Sequence, residues 1–367
     1  MPEILSIQHQ TMFAELIQKC LDAGFDADFP ENGSFFLRKR NNREYWYYNG
    51  YGPDQAGNAR KHQRYAGPVT DHEVTARVAA FKTIKDNYQY RLSLVRSLRS
   101  AGLPIADRLV GDAVEALWKA GVFRMRCVLV GTTAFQTYAG LLGTRLADAI
   151  TATEDIDLAQ YHSVSLAVED SVEPPLQALT AIDPTFRKIP HQSDPRASTR
   201  IINAAGFAVE FLTPNDSRDD YMSKPAAMPA LGGMAAEPLR FLDYLIRDAV
   251  WSVVLHKGGV PVRVPLPERY AIHKLIVSTR RRNDPRSFAK AGKDIAQAAA
   301  LTTAMAATRR AEDLGHAWIE AWGRGPGWQS ALRAGHARLE EQPAKIIIDA
   351  VRIAASALRT DPDTLLP

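Results

Sequence analysis

Three acidic residues carry the strongest chemical signal in this sequence. In the run Thr153-Glu154-Asp155-Ile156-Asp157-Leu158-Ala159, two aspartates stand two positions apart in a segment with strand character. Side chains alternate along a strand, so Asp155 and Asp157 share one face while Ile156 and Leu158 take the other. Two carboxylates this close repel each other unless a cation lies between them. Magnesium suits the pair because it wants hard oxygen ligands and keeps few protein donors, and manganese could take its place. Glu210 stands between Val209 and Phe211. Phe207, Val209 and Phe211 can face a core, which leaves Glu210 on the opposite side. A third carboxylate on a neighbouring strand would complete a two-metal site.

Upstream, Val130-Gly131-Thr132-Thr133 stands where an apolar strand turns into a helix. Exposed backbone N–H groups at a helix start suit phosphate, and glycine allows close approach. Taken singly, these features have plain explanations. An Asp-x-Asp is usually a solvated strand end, a Gly-Thr-Thr usually a helix cap, and a lone Glu between apolar residues usually an exposed strand position. Their order is the informative part: buried strand, Gly-Thr turn, helix, Asp-hydrophobic-Asp strand, hydrophobic-Glu-hydrophobic strand.

The elements that must position these residues follow from periodicity. Phe13, Leu16, Ile17 and Leu21 predict a helix over 5–24. Residues 34–52 read as a hairpin turning at Asn41–Asn42, with a third strand in Ala59–Pro68. Helical spacing returns from Thr70 to Ser100, capped by Thr70 or Asp71, and again over 104–120. Strands are expected at Cys127–Val130, at Ala152–Gln160 and at Gly206–Pro214. Residues 164–185 read as helix and loop, and 191–200 and 215–238 as loops. A hairpin turns at Gly258–Gly259. Helices are expected over 267–281, 286–302, 307–322 and 342–359. The fold class is α+β. Three regions are expected: an N-terminal helix and β-hairpin region at 1–100, a central core at 101–265, and a C-terminal helical domain at 266–367.

The chain has 367 residues, 46% hydrophobic and 23% charged, which excludes a disordered or fibrous protein. No apolar run approaches the roughly 18 residues of a membrane span, so no membrane is expected. The N-terminal residues lack the pattern of a secretory leader, and two cysteines, Cys20 and Cys127, argue against a disulfide scaffold. A reducing cytoplasm is the expected location. The net charge of +4 and a pI near 9.0 would favour an anionic partner. His62, His72, His256 and His273 have no zinc-ligand spacing.

The ordered motifs resemble the polymerase-beta-type nucleotidyltransferase superfamily. More narrowly, VLVGTTAFQTYAGLLG, TEDIDLA, EFLTP, VPVRVPLPERYAIHKLIVSTRRR and KAGKDIAQA look like a largely uncharacterised bacterial group with that fold, AbiEii-like. The resemblance implies a mixed sheet flanked by helices and a magnesium-dependent transfer of a nucleotide from a nucleoside triphosphate such as ATP. It implies Asp155, Asp157 and Glu210 as catalytic metal ligands. It implies Gly131, Thr132, Thr133 and Thr153 at the nucleotide, with Lys274 on its phosphates and Asp294 either orienting that lysine or acting near the acceptor. Some AbiEii-like relatives serve as toxins of toxin–antitoxin pairs or in phage defence. Two departures stand out: Thr132 replaces the usual glycine or serine, and the stretch from Thr133 to Glu154 exceeds the usual spacer.

The acceptor is less defined. Basic clusters RKRNNR, ARKHQR and STRRRNDPR, with Tyr45, Trp46, Tyr47, Tyr48 and Tyr51 beside the first two, could bind RNA or DNA through the N-terminal hairpin. The same aromatics could equally pack the hairpin onto a helix. The competing reading is a catalytically silent fold that binds nucleic acid or a partner. An oligomer is open, with KIIIDAVRIAASALR as core or interface.

Overall fold

The computed structural model describes residues 2–29, 33–40, 43–53, 59–81, 88–146, 155–168, 170–215, 224–280 and 285–367. Thr153 and the Asn41–Asn42 turn therefore lie outside the described residues. The chain opens with helix α1 (Ile7–Asp28), where the Ser6 hydroxyl accepts from the His9 N–H and satisfies an end donor. Strands β1 (Ser34–Arg40), β2 (Arg43–Pro53) and β3 (Ala59–Pro68) form an antiparallel sheet. The helix expected over 70–100 is α2 (His72–Ala79), capped by Asp71, and α3 (Tyr88–Ser100); residues 82–87 are not among those described.

The described hairpin aromatics are largely structural. Tyr48 is fully buried and meets Phe29 and Phe35 at ring separations of 5.3 Å each. Phe25 from α1 stacks on Phe35, and Phe81 closes the cluster edge-on. Tyr47 is buried against Tyr65, and the Trp46 indole donates to Thr75 on α2. Alternation along β2 thus sends neighbouring rings into cores on both sides of the sheet.

The central region contains α4 (Arg108–Lys119), β4 (Val128–Val130), α5 (Gly131–Leu142), β5 (Asp155–Ala159), α6 (His162–Ala167), α7 (Pro175–Thr180), β6 (Arg187–Ile189), β7 (Arg200–Ile202), β8 (Ala208–Pro214), β9 (Ala226–Met228), β10 (Met234–Leu239) and α8 (Leu242–Ile246). The sheet runs β4-β5-β8-β10-β9, with β7 also on β8 and β6 on β7. β5, β8 and β10 are parallel, while β4 and β7 run antiparallel to their neighbours. The loop expected at 215–238 is corrected: β9 and β10 lie within it. Ala235 and Ala236 have weak strand propensity, yet they are buried, and pairing with established strands outweighs propensity. β6 and the start of β7 also flank or enter the segment read as polar loop.

The hairpin β11 (Ala249–Val254) and β12 (Val260–Pro265) turns at Gly258–Gly259 as its sequence indicates. Helices α9 (Pro267–Ser278), α10 (Pro285–Ala307), α11 (Ala311–Trp322), α12 (Pro326–His336) and α13 (Glu341–Ala357) follow. α12 was not expected, although Pro326 at its first position is a recognised start signal. α11 and α13 pack so closely that a Cβ at Gly315 would stand 2.2 Å from the Ala350 carbonyl oxygen. The architecture is α+β: a mixed sheet flanked by helices, between an N-terminal helix-and-hairpin region and a C-terminal helical region. None of the described helices is long and apolar enough to cross a membrane.

If Tyr48 is a packing residue, Tyr48→Ala should destabilise the protein by about 3–5 kcal/mol through the cavity it leaves. A lowered urea midpoint would show this; an unchanged midpoint would mean that the ring does not anchor the hairpin.

Candidate functional site

The site begins with strand register. On β5 and β8, Asp155 pairs with Ala208 and Asp157 with Glu210. Asp157 also pairs with Val130 of β4, and Glu210 with Arg200 of β7. Residues paired in register point to the same face of a sheet. Asp157 and Glu210 therefore sit side by side, and Asp155, two positions earlier, joins them. The other face of the same strands carries Ile156, Leu158, Val209 and Phe211, all buried in the core. That apolar face holds the carboxylates in place, because a one-residue slip would bury charge and expose the core.

The turn after β4 closes over Asp157. Gly131 has φ +68, and a Cβ there would stand 2.4 Å from Asp157 Oδ2. Only a glycine combines that left-handed backbone with that approach. The Tyr270 hydroxyl on α9 lies 2.8 Å from the Gly131 carbonyl oxygen and 3.0 Å from Gln297 Oε1 on α10. Gln297 Nε2 donates to Thr132 Oγ1 at 3.5 Å. The C-terminal helices thus fix the turn. No side chain caps the start of α5, so its first N–H groups are left to other acceptors. Thr132 lines the cleft, whereas Thr133 is turned into the interior.

Cations converge on the same face from α9 and α10. Lys274 Nζ is 2.6 Å from Asp294 Oδ1, both buried, and lies over the Tyr270 ring. Lys290 Nζ stands 4.0 Å from Asp155 Oδ2, and Lys293 lines the cleft. Lys274 and Asp294 were singled out by sequence, and Lys290 was not. Its signal was present: Lys290, Lys293 and Asp294 fall at helical i, i+3 and i+4 spacing on one face.

The electrostatics follow from the crowding. Burial, with Asp155 and Glu210 nearby, pushes the Asp157 carboxyl up to about 7, against the pull of Lys274 and Lys290. Burial also raises Glu210, partly offset by Arg200, whose Nε is 3.1 Å from Glu210 Oε1. Burial and neighbouring Lys274 lower the Lys293 ammonium. Asp157 and Glu210, both raised, stand with Asp155 as three hard-oxygen donors that fit a divalent cation, which would relieve the repulsion.

These groups line one cleft of about 660 Å³, which includes Gly131, Thr132, Asp155, Asp157, Glu210 and Lys274. A second group of ligand-type side chains stands elsewhere. Among the described residues, Asp112, Glu115 and His256 are the one set of three His, Cys, Asp or Glu whose ligand atoms all lie within 4.8 Å. That set could hold a metal ion, but the Lys257 ammonium is there, 2.8 Å from Asp112 and 2.6 Å from Glu115. The oxygens of Asp155, Asp157 and Glu210 do not all meet the same spacing.

A family described as Nucleotidyltransferase matches residues 108–323, which includes every described member of the acidic and basic groups in the cleft. No curated protein gives a significant match. A solved structure of an antigenic nucleotidyltransferase-like protein from Paracoccidioides brasiliensis is similar at 14% identity and a TM-score of 0.28, over 63% of this chain and 94% of its own.

The raised Asp157 carboxyl has a consequence for stability. It holds its proton up to about 7 when folded, whereas an unfolded aspartate releases it near 3.9. The folded state then binds more protons across that window, so stability falls as pH rises through it. Asp157→Asn should remove the decline and raise Tm at pH 8 in metal-free buffer, with little change near pH 4. Thermal melts across pH check this, and an identical decline in both proteins would contradict it.

Proposed function

The chain belongs to this nucleotidyltransferase family, and on that footing we propose that it moves a nucleoside monophosphate from a nucleoside triphosphate to an acceptor hydroxyl. The observation that carries the reading is the grouping of Asp155, Asp157 and Glu210 on one sheet face, beneath the Gly131–Thr132 turn and opposite three lysines. Magnesium or manganese would be held by those three carboxylates. When bound, such a cation supplies Lewis acidity that neutralises phosphate charge and lowers the pKa of the attacking hydroxyl.

The chain's own groups position the reactants. Unshared N–H groups at the start of α5, with Thr132, face the β- and γ-phosphates of the donor. Lys274, Lys290 and Lys293 offset the triphosphate charge, and Asp294 fixes Lys274 through its 2.6 Å contact. Tyr270 and Gln297 hold the turn at the correct height. The acceptor hydroxyl gives its proton to solvent water, its oxygen bonds to the α-phosphorus as the bond to the bridging oxygen breaks, and pyrophosphate departs. Preorganised charge provides the rate enhancement. Thr153, outside the described residues, is assigned to the nucleotide by resemblance alone.

A second reading rests on the Arg200–Glu210 ion pair, which would let a silent fold keep Glu210 without a cation. The two separate experimentally. Purified protein is incubated with each α-labelled nucleoside triphosphate, magnesium or manganese, and total RNA. Label should enter an acceptor, and Asp157→Ala or Glu210→Ala should lower incorporation at least about 100-fold while circular dichroism stays native. Incorporation that persists in the double variant would refute the mechanism.

A further inference from the structure

The far end of the cleft holds charge that the donor does not require. Leu239 on β10 is in register with Pro214 on β8, and Arg240 and Phe241 follow immediately. Pro214 lies four residues beyond Glu210, which is about 13 Å along a strand at ~3.3 Å per residue. Phe241 adopts φ +66, an unfavourable backbone for a bulky residue. Its ring packs edge-on against Trp328 at 4.5 Å. The guanidinium carbons of Arg240 and Arg280 each lie 5.2 Å from the ring centroid. Both arginines line the same cleft as the carboxylates; Arg240 is half-buried and Arg280, at the end of α9, is exposed. The same cleft is also lined by Leu212, Leu239, Leu242 and Leu245, together with His273 and Thr279.

The cleft therefore has two cationic stations. The lysine station adjoins the carboxylates, where a donor triphosphate reacts. The arginine station is a strand length away. A guanidinium fork matches phosphate oxygens in paired hydrogen bonds, and a stacked guanidinium loses little freedom in making them. The leucines of the lining suit base faces, which stack without regard to sequence. A neutral small molecule would bring no anion to the second station.

Resting on the transferase reading above, we propose that Arg240, Phe241 and Arg280 form the station for the phosphodiester backbone of a single-stranded polynucleotide acceptor. Its terminal nucleotide lies over the leucine-lined floor, with the 3′ hydroxyl directed to Asp157. This places the acceptor strand in the cleft itself rather than on the N-terminal hairpin, whose rings are mostly committed to packing.

Fluorescence anisotropy without turnover tests the station separately from catalysis. The probes are a short labelled single-stranded RNA with a free 3′ hydroxyl, the same sequence as DNA, the same sequence as uncharged peptide nucleic acid, and a fluorescent nucleoside triphosphate. Arg280→Ala should weaken RNA or DNA binding about tenfold and reduce the slope of log affinity against log salt by about one. Triphosphate affinity should stay within about twofold, Arg280→Lys should recover part of the loss, and peptide nucleic acid should bind weakly throughout. Arg240→Ala should act in the same direction, with a thermal melt confirming its fold. Oligonucleotide affinity indifferent to Arg280→Ala would overturn the proposal. So would peptide nucleic acid binding as tightly as RNA, or a loss confined to the triphosphate, which would assign the station to the donor. Failure of the labelled-transfer assay alone would defeat the transferase reading and leave the binding result to stand on its own.

Discussion

The pairing of Asp157 with Glu210 across two parallel strands is the constraint on which the rest of the structure turns. It places like charges at neighbouring positions and holds them there. Burial first, and then the neighbouring Asp155 and Glu210 carboxylates, displace the Asp157 carboxyl up to about 7. The opposition comes from the other face of the same strands, where Ile156, Leu158, Val209 and Phe211 occupy the core. Register cannot slip without exchanging those two faces. Strain of this kind, kept in place by packing, is what a charged ligand can relieve.

The C-terminal helices complete the site from above. Tyr270 and Gln297 tie α9 and α10 to the Gly131 turn, and Lys274, Lys290 and Lys293 bring positive charge from the same two helices. The acidic and basic halves of the cleft thus come from different stretches of chain and meet only through tertiary packing. The Asp112–Glu115–His256 cluster offers an instructive contrast. Its carboxylates are balanced by Lys257 within the protein, so nothing there calls for an added cation. At the sheet carboxylates, Lys290 stands 4.0 Å from Asp155 Oδ2 and is largely exposed.

Much of this was legible in the sequence, and the reasons are specific. Asp155 and Asp157 could be placed on one face because strand alternation is rigid. The strand bearing Glu210 was marked by an apolar run between Gly206 and Pro214, and that bearing the aspartates by its alternation alone. The pairing of β5 with β8 was not legible, since nothing local encodes which strands become neighbours. β9 and β10 escaped notice because alanine, glycine and proline carry no strand pattern, and their partners supply the missing preference. The tyrosines of β2 admitted two readings from composition, and the structure turns Tyr47 and Tyr48 inward. Lys290 was spaced to share a helix face with Lys293 and Asp294, but its approach to Asp155 across a helix–sheet gap was not legible, and the Arg240–Phe241–Arg280 stack arises from a left-handed residue with no sequence signature.

The most direct measurement is the anomalous scattering of crystals grown with manganese and a non-hydrolysable nucleoside triphosphate. The account requires manganese peaks among Asp155, Asp157 and Glu210, with the triphosphate reaching toward Gly131 and Thr132. Manganese found at Asp112, Glu115 and His256 instead, with the three sheet carboxylates bare and Arg200 still clamped on Glu210, would contradict it.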